Sequence, residues 1–300
     1  MKDIFTDGYD YRQREDGSWY AIDRRTGKEV DAEANPYPVG SIFYTPQQQE
    51  DYRKKQEQKI KHYFASKRND QPYYFVSRGY EFGRLSPESL ARLIYLNSYL
   101  NLGGNKLVRS QRASMKRKDL AAVLKVSPST VTGFWKEVHP EYLYEDDDGL
   151  ILSNKALFIR GKGIQNSSMK FFVNGIKAIY ERTPNTQHRY LGYVFQLIPY
   201  INIEFNILCK NPFETELKYI EQLTVGEYCE LIGYDKTHLN RLLRAYKQLR
   251  FTVDDHEERF VSLVYDGVDK NNARLFINPN VLYSGKSRER VEVLGSFCQE

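Results

Sequence analysis

The chain has 300 residues, 41% of them hydrophobic and 28% charged, with a formal net charge of +5. At the usual 100–200 residues per domain this predicts about two domains, and the composition excludes wholesale disorder and fibrous architectures. No apolar run approaches the ~20 residues of a membrane helix, the opening MKDIFTDGYD has no apolar leader segment, and Cys209, Cys229 and Cys298 have neither disulfide-framework nor zinc spacing. The expectation is a cytoplasmic protein with no membrane partner, no metal and no cofactor.

In chain order, Gly17–Lys28 reads as a β-hairpin and residues 46–68 as a polar helix capped by Thr45. Tyr52, Ile60, Tyr63 and Phe64 make too sparse a stripe for a coiled coil, so this helix packs on the next module or binds a partner. Tyr73–Val76 reads as a strand. Ser86 caps a helix with Pro87 at its first position, Leu90, Leu93, Ile94, Leu96 and Leu100 fall mainly on one face, and Gly103 and Gly104 stop it. A short helix carries Leu120, Ala121, Val123 and Leu124. Ser127 and Pro128 then start another, which buries Val131, Phe134 and Trp135 and shows Ser129, Thr130, Thr132 and Lys136 to solvent. Two short helices joined by a tight turn make a helix-turn-helix pattern. Tyr142–Ile159 gives two strand-like runs around an Asp-rich turn ending in Gly149, a hairpin wing.

The pattern then recurs. Phe171–Val173 reads as a second strand, and Leu90–Leu102 aligns with Leu191–Ile203 at an offset of 101 residues. Lys118–Thr132 aligns with Gly226–Asn240 at an offset of 108. Thr224 to Glu227 forms a capping box. Asp235 caps the last helix, where Leu239, Leu242, Leu243 and Tyr246 face inward and Lys236, Thr237, His238, Asn240, Arg241, Arg244 and Lys247 face out. The second wing is expected over Phe260–Tyr265 and Arg274–Tyr283, with its tip at 266–273. Each copy ends in Gly-Lys, at Lys162 and Lys286. The fold class expected is α+β, mainly α: two tandem winged-helix domains (71–165 and 166–300) related by internal duplication, after an N-terminal hairpin and linker helix (1–70).

The order of strand, helix, helix-turn-helix and wing, with Lys118–Ala121 and Val126–Val131 in the first copy, resembles winged-helix proteins of the MarR-like kind. It is also similar to replication and regulatory proteins of Firmicute plasmids and phages. Arg274–Asn280 is similar to the Phe-x-Asn-Pro segment of RepL-type plasmid initiators. The resemblance covers about 71–290. It implies that the second helix of each pair, Ser127–Lys136 and Asp235–Lys247, enters the major groove. Such proteins usually carry one module per chain and dimerise, whereas this chain carries two dissimilar modules.

Charge points the same way. Residues 1–70 carry 13 basic and 13 acidic side chains, residues 71–184 carry 17 and 10, and residues 185–300 carry 14 and 16. Lys106 to Lys118 holds no acid, and Arg109, Arg112, Lys116, Arg117 and Lys118 are expected at phosphates. Lys162, Lys286, Arg288 and Arg290 at the wing ends extend that set. Base contacts are expected from Ser127, Ser129, Thr130, Thr132 and Lys136, and from the richer donor set Lys236, Thr237, His238, Asn240, Arg241 and Arg244. The expected partner is double-stranded DNA, bound by a homodimer or a pseudo-symmetric monomer, and the expected task transcription regulation. A replication initiator shares that chemistry. Two readings from other classes stand beside it. The His-x-x-Arg spacing of His238 and Arg241 matches tyrosine recombinases, and Gly17–Lys28 faintly resembles integrase arm-binding domains. The polar helix fits an interaction adaptor.

Overall fold

A computed structural model describes residues 9–16, 19–23, 26–31, 46–66, 72–78, 85–110, 113–153, 158–159, 168–253, 256–265, 272–285, 287–291 and 294–298. The chain divides into two units between residues 62 and 63. In the first, β1 (Tyr9–Gln13), β2 (Trp19–Asp23) and β3 (Glu29–Asp31) form an antiparallel sheet in the order β1-β2-β3. The expected hairpin is the β2 arm and the turn after it. Arg14 ties the sheet by bonding Glu29 and lying 5.0 Å above the Tyr20 ring. The helix α1 (Pro46–Ser66) follows, its last residues in the second unit. Its mostly exposed polar surface is laced by pairs one turn apart, Arg53–Glu50 at 2.7 Å and Lys54–Glu50 at 3.6 Å. Its expected cap Thr45 lies outside the described residues. No described helix is long and apolar enough to cross a membrane.

The second unit is α+β with small antiparallel sheets. Its first half runs β4 (Tyr73–Ser77), α2 (Pro87–Asn97), the short pair β5 (Val108–Ser110) and β6 (Ala113–Ser114), α3 (Leu120–Leu124), α4 (Pro128–Val138), the hairpin β7 (Leu143–Asp146) and β8 (Gly149–Leu152), and β9 (Phe158–Ile159). Its second half runs β10 (Ser168–Phe172), α5 (Val173–Arg182), α6 (His188–Phe195), α7 (Val225–Leu231), α8 (Leu239–Gln248), the hairpin β11 (Arg250–Val253) and β12 (His256–Arg259), β13 (Val261–Val264) paired with β14 (Arg274–Ile277), β15 (Leu282–Tyr283) and α9 (Leu294–Cys298).

The two halves meet in one sheet of order β15-β10-β4-β9. Its central pair is antiparallel, with Tyr73 opposite Phe172, Phe75 opposite Lys170 and Ser77 opposite Ser168. The outer strands attach at matching points, Ile159 opposite Phe75 and Tyr283 opposite Lys170. The sheet thus has an approximate two-fold axis at the Phe75–Lys170 pair. The helices α2 and α6 pack closely together. A Cβ built on Gly192 of α6 would lie 1.8 Å from the Pro87 carbonyl oxygen, so the crossing requires glycine there. Ala91, at the matching place on α2, is buried and also small.

Within each half the same bonds recur at the sequence offsets. Asn101 N donates to Lys106 O at 2.9 Å, and Asn202 N to Ile207 O at 2.8 Å. Val108 N donates to Tyr99 O at 2.9 Å, and Cys209 N to Tyr200 O at 2.7 Å. Lys116 N donates to Asp119 Oδ2 and Thr224 N to Glu227 Oε2, both at 2.9 Å. The ion pairs Arg109–Asp119, 3.2 Å, and Lys210–Glu227, 2.8 Å, stand at the same two positions. The turn between α3 and α4 passes through Lys125 at φ 55°, and the turn between α7 and α8 through Gly233 at φ 65°. Such left-handed positions commonly end helices.

The halves also differ. The strand expected to run through Val173 ends one residue earlier, at Phe172, and Val173 opens α5. Neither the β11–β12 hairpin nor α9 has a counterpart among the described residues of the first half. The expected limit near residue 165 separates β9 from β10, two strands of one sheet, and buried side chains from both halves form one core.

Candidate nucleic-acid interface

The α8 helix is strongly amphipathic. Leu239, Leu242, Leu243, Ala245 and Tyr246 are buried, and the Tyr246 hydroxyl meets that of Tyr228 at 2.5 Å. Tyr228 in turn donates to Tyr193 O at 3.0 Å. Burial pushes both phenols well above their ordinary range, so this anchor is neutral. On the other side Lys236, Thr237, His238, Asn240, Arg241, Arg244 and Lys247 are all exposed, as expected. Asp235 caps the preceding 3₁₀ turn, accepting from Thr237 N at 2.8 Å, and that bond holds its carboxyl below the usual range. His238 Nδ1 lies 3.2 Å from Asp235 Oδ2, so the helix cap already occupies this half of the recombinase-like pair. Lys236 pairs with Glu230. Arg241 and Arg244 have no ion-pair partner among the described residues. Lys247 lies 5.2 Å above the ring of Tyr265, next after β13, a contact that no local sequence signal predicts.

On α4, Val131, Phe134 and Val138 are buried, while Trp135 is half-buried. Ser127, Ser129, Thr132 and Lys136 are exposed, and Thr130 is half-buried. The hydroxyls are engaged with one another. Ser127 Oγ accepts from Thr130 N at 3.2 Å and meets Ser129 Oγ and Thr130 Oγ1, each at 2.9 Å. Thr132 Oγ1 donates to Pro128 O at 3.1 Å. Lys136 is the one cation of the expected α4 set.

The basic strip does not stand alone in space. The β7–β8 hairpin turns tightly, with Asp146 Oδ1 accepting from Asp148 N and Gly149 N at 2.9 and 3.0 Å. Its tip exposes Glu145, Asp146, Asp147 and Asp148. Lys106 pairs with Asp148 at 2.7 Å, Arg109 with Asp119 at 3.2 Å, and Arg117 N donates to Glu145 at 2.9 Å. Arg117 also lays its guanidinium 4.8 Å above the Trp135 ring. Lys116 and Lys118 are exposed. The pairs Lys106–Asp148, 42 residues apart, and Arg109–Asp119 thus neutralise part of the strip, and the tip of the β7–β8 hairpin is acidic.

Arg288 departs from expectation. It is 4% exposed, donates to Asn280 Oδ1 at 3.0 Å and lies 4.6 Å above the Phe172 ring. Burial lowers its pKa to about 10. It is part of the core and cannot grip a phosphate. Its neighbourhood includes buried Glu258, which accepts from Tyr63, Asn278 and Asn280 at 2.6–2.9 Å. Arg290 is exposed but pairs with Glu204 at 3.0 Å. Arg112, Lys162 and Lys286 lie outside the described residues.

Burial pushes the thiols of Cys209 and Cys229 up to about 11 and that of Cys298 to about 12, so all three are protonated at neutral pH. Among the described residues no group of three or more His, Cys, Asp or Glu is placed to hold a metal. No family model matches the chain, and no curated protein or solved structure matches it.

Proposed function

We propose that this protein binds double-stranded DNA sequence-specifically through tandem winged-helix modules arisen by duplication, as a phage- or plasmid-type transcription regulator. The outer face of α8 carries the reading: an apolar side locked into the core, and an opposite side bearing Arg241, Arg244, Asn240, Thr237 and Lys236 in the open. Arginine at a helix surface offers two parallel donors to guanine O6 and N7, and asparagine pairs likewise with adenine, so this side has the chemistry to read base edges. Recurring hydrogen bonds and the matching caps at Ser127 and Asp235 support the duplication. Among the described residues, Lys116, Lys118 and Lys136 are exposed cations that the first half offers to phosphates.

A replication initiator needs the same chemistry, and the joining of two helix pairs through one sheet favours it as the second reading. A regulator protects one operator, whereas an initiator protects an array of origin repeats. The test is selection of bound duplexes from a random pool at about 150 mM salt, where non-specific binding is weak. Enrichment of a defined motif is expected. An unenriched pool after repeated rounds would remove specific duplex binding as the function.

A further inference from the structure

Resting on that DNA-binding reading, we infer that a single chain is its own dimer: it binds one duplex as a monomer and reads two unlike half-sites in inverted orientation. The inference comes from how the halves are joined. An antiparallel central pair with a register symmetric about Phe75 and Lys170 relates the two halves by a two-fold rotation, not by translation. The flanking strands β9 and β15 obey the same rotation. The packing of α2 on α6 adds a second joint, closed at Gly192 against Pro87. The α4 helix packs on α2 and α8 on α6, so each reading helix is carried by its own half. A rotation of this kind turns two reading helices to run in opposite directions along a duplex. Two-fold proteins therefore match inverted half-sites, and a tandem translation would match direct repeats.

The half-sites are unlike because the helices are. Where α8 presents Asn240, Arg241 and Arg244, the positions 108 residues earlier on α4 are Thr132, Gly133 and Lys136. The α8 half has the donors for guanine and adenine, and the α4 half is confined to hydroxyls and one lysine.

The experiment uses the full chain and the duplexes enriched from a random 40-base-pair pool. Sedimentation of the complex should give one chain per duplex, and the enriched motif should hold two different halves, inverted. Reselection with Arg241→Ala should relax one half, and with Thr132→Ala plus Lys136→Ala the other. Each relaxed half should bind at least about fivefold weaker, the lower range for a lost base contact. Two chains per duplex, halves in direct repeat, or both variants relaxing the same half would each overturn the inference while leaving specific binding intact. A pool with no enrichment would instead overturn the DNA-binding reading itself. Circular dichroism of each variant separates lost contacts from lost fold.

Discussion

Thr132, Gly133 and Lys136 on the outer side of α4 and Asn240, Arg241 and Arg244 on the outer side of α8 occupy matching positions, yet their chemistry has little in common. The inward positions behave differently. Val131, Phe134 and Val138 match Leu239, Leu242 and Tyr246, and all six are buried and apolar or aromatic. The capping box at Thr224 and Glu227 and the bond from Lys116 N to Asp119 match as well. The frame is held by packing and caps on one side of each helix, so the other side is free to change without cost to the fold. On the proposed reading, specificity lies where the fold carries least of its stability.

The most disruptive way to test that shared frame is to separate the halves. Gly192→Val places side-chain carbons where α6 meets the Pro87 backbone, which has no flexible group to yield. The expected loss is about 3 kcal/mol or more, read by urea unfolding. Ala91→Gly at the matching place on α2 should cost only about 1 kcal/mol, a helix-propensity effect. Near-parental stability of Gly192→Val would show that the two helices do not cross at that point.

A second test exploits an asymmetry at the same helix starts. Where α2 opens with Pro87, α6 opens with His188, which is 1% exposed. Its Nε2 donates to Thr183 O at 3.0 Å and its ring lies 4.2 Å from Tyr180. Burial lowers its pKa from 6.5 to about 4, outweighing the bond to Thr183. Below pH 6.5 the unfolded chain takes up a proton that the folded chain refuses, so stability falls as pH falls and the loss is complete below about pH 4. The size is on the order of 3 kcal/mol. His188→Gln should flatten the slope of stability between pH 6.5 and 4, measured by urea titrations at several pH values. An unchanged slope would place the acid sensitivity elsewhere.

Local signals made much of this legible in the sequence. Ser86 with Pro87, Ser127 with Pro128, and Thr224 with Glu227 are complete start signals within four residues, and each starts a helix where expected. The outer face of α8 followed from its 3.6-residue period alone. Long-range pairing was not legible. Nothing near Tyr73–Ser77 says that the strand pairs with Ser168–Phe172 instead of a strand of its own half. The α5 helix was hidden because Phe171 and Phe172 run into Val173 without a turn residue to mark the boundary. Arg288 follows a Gly-Lys pair and reads as surface, and only the fold brings Phe172 and Asn280 around it. The acidic β7–β8 turn and the basic strip were each visible, but their contact is tertiary.

Among the residues proposed to read DNA, the cations of α8 should not be equal. Lys236 already holds Glu230, whereas Arg241 has no ion-pair partner among the described residues. Arg241→Ala should cost about 1–3 kcal/mol on the selected site and relax its preference. Lys236→Ala should cost less, since a surface ion pair is broken to make the contact. The measurement is a binding titration on the selected duplex and a scrambled one. Equal losses on both duplexes would make these residues phosphate contacts.

The smallest expected effect tests whether the first half faces the duplex at all. The tip of its β7–β8 hairpin, the proposed wing, carries Asp147, exposed between Asp146 and Asp148, beside a strip whose Lys106 is held by Asp148. An acid at a wing repels phosphates, while the cations around it attract them, and the net field decides how closely this half approaches. Asp147→Asn removes one negative charge without touching the turn, because Asp146 makes the bonds to Asp148 N and Gly149 N. If the wing lies along the backbone, affinity for any duplex should rise by about twofold to fivefold at low salt, with little gain in sequence preference, and the gain should shrink as salt screens it. The same substitution leaves binding unchanged if α8 alone docks, because a tip many ångströms from the nearest phosphate lies beyond the ~8 Å screening length at physiological salt. A charge change that costs the fold nothing thus separates a two-handed grip from a one-handed one.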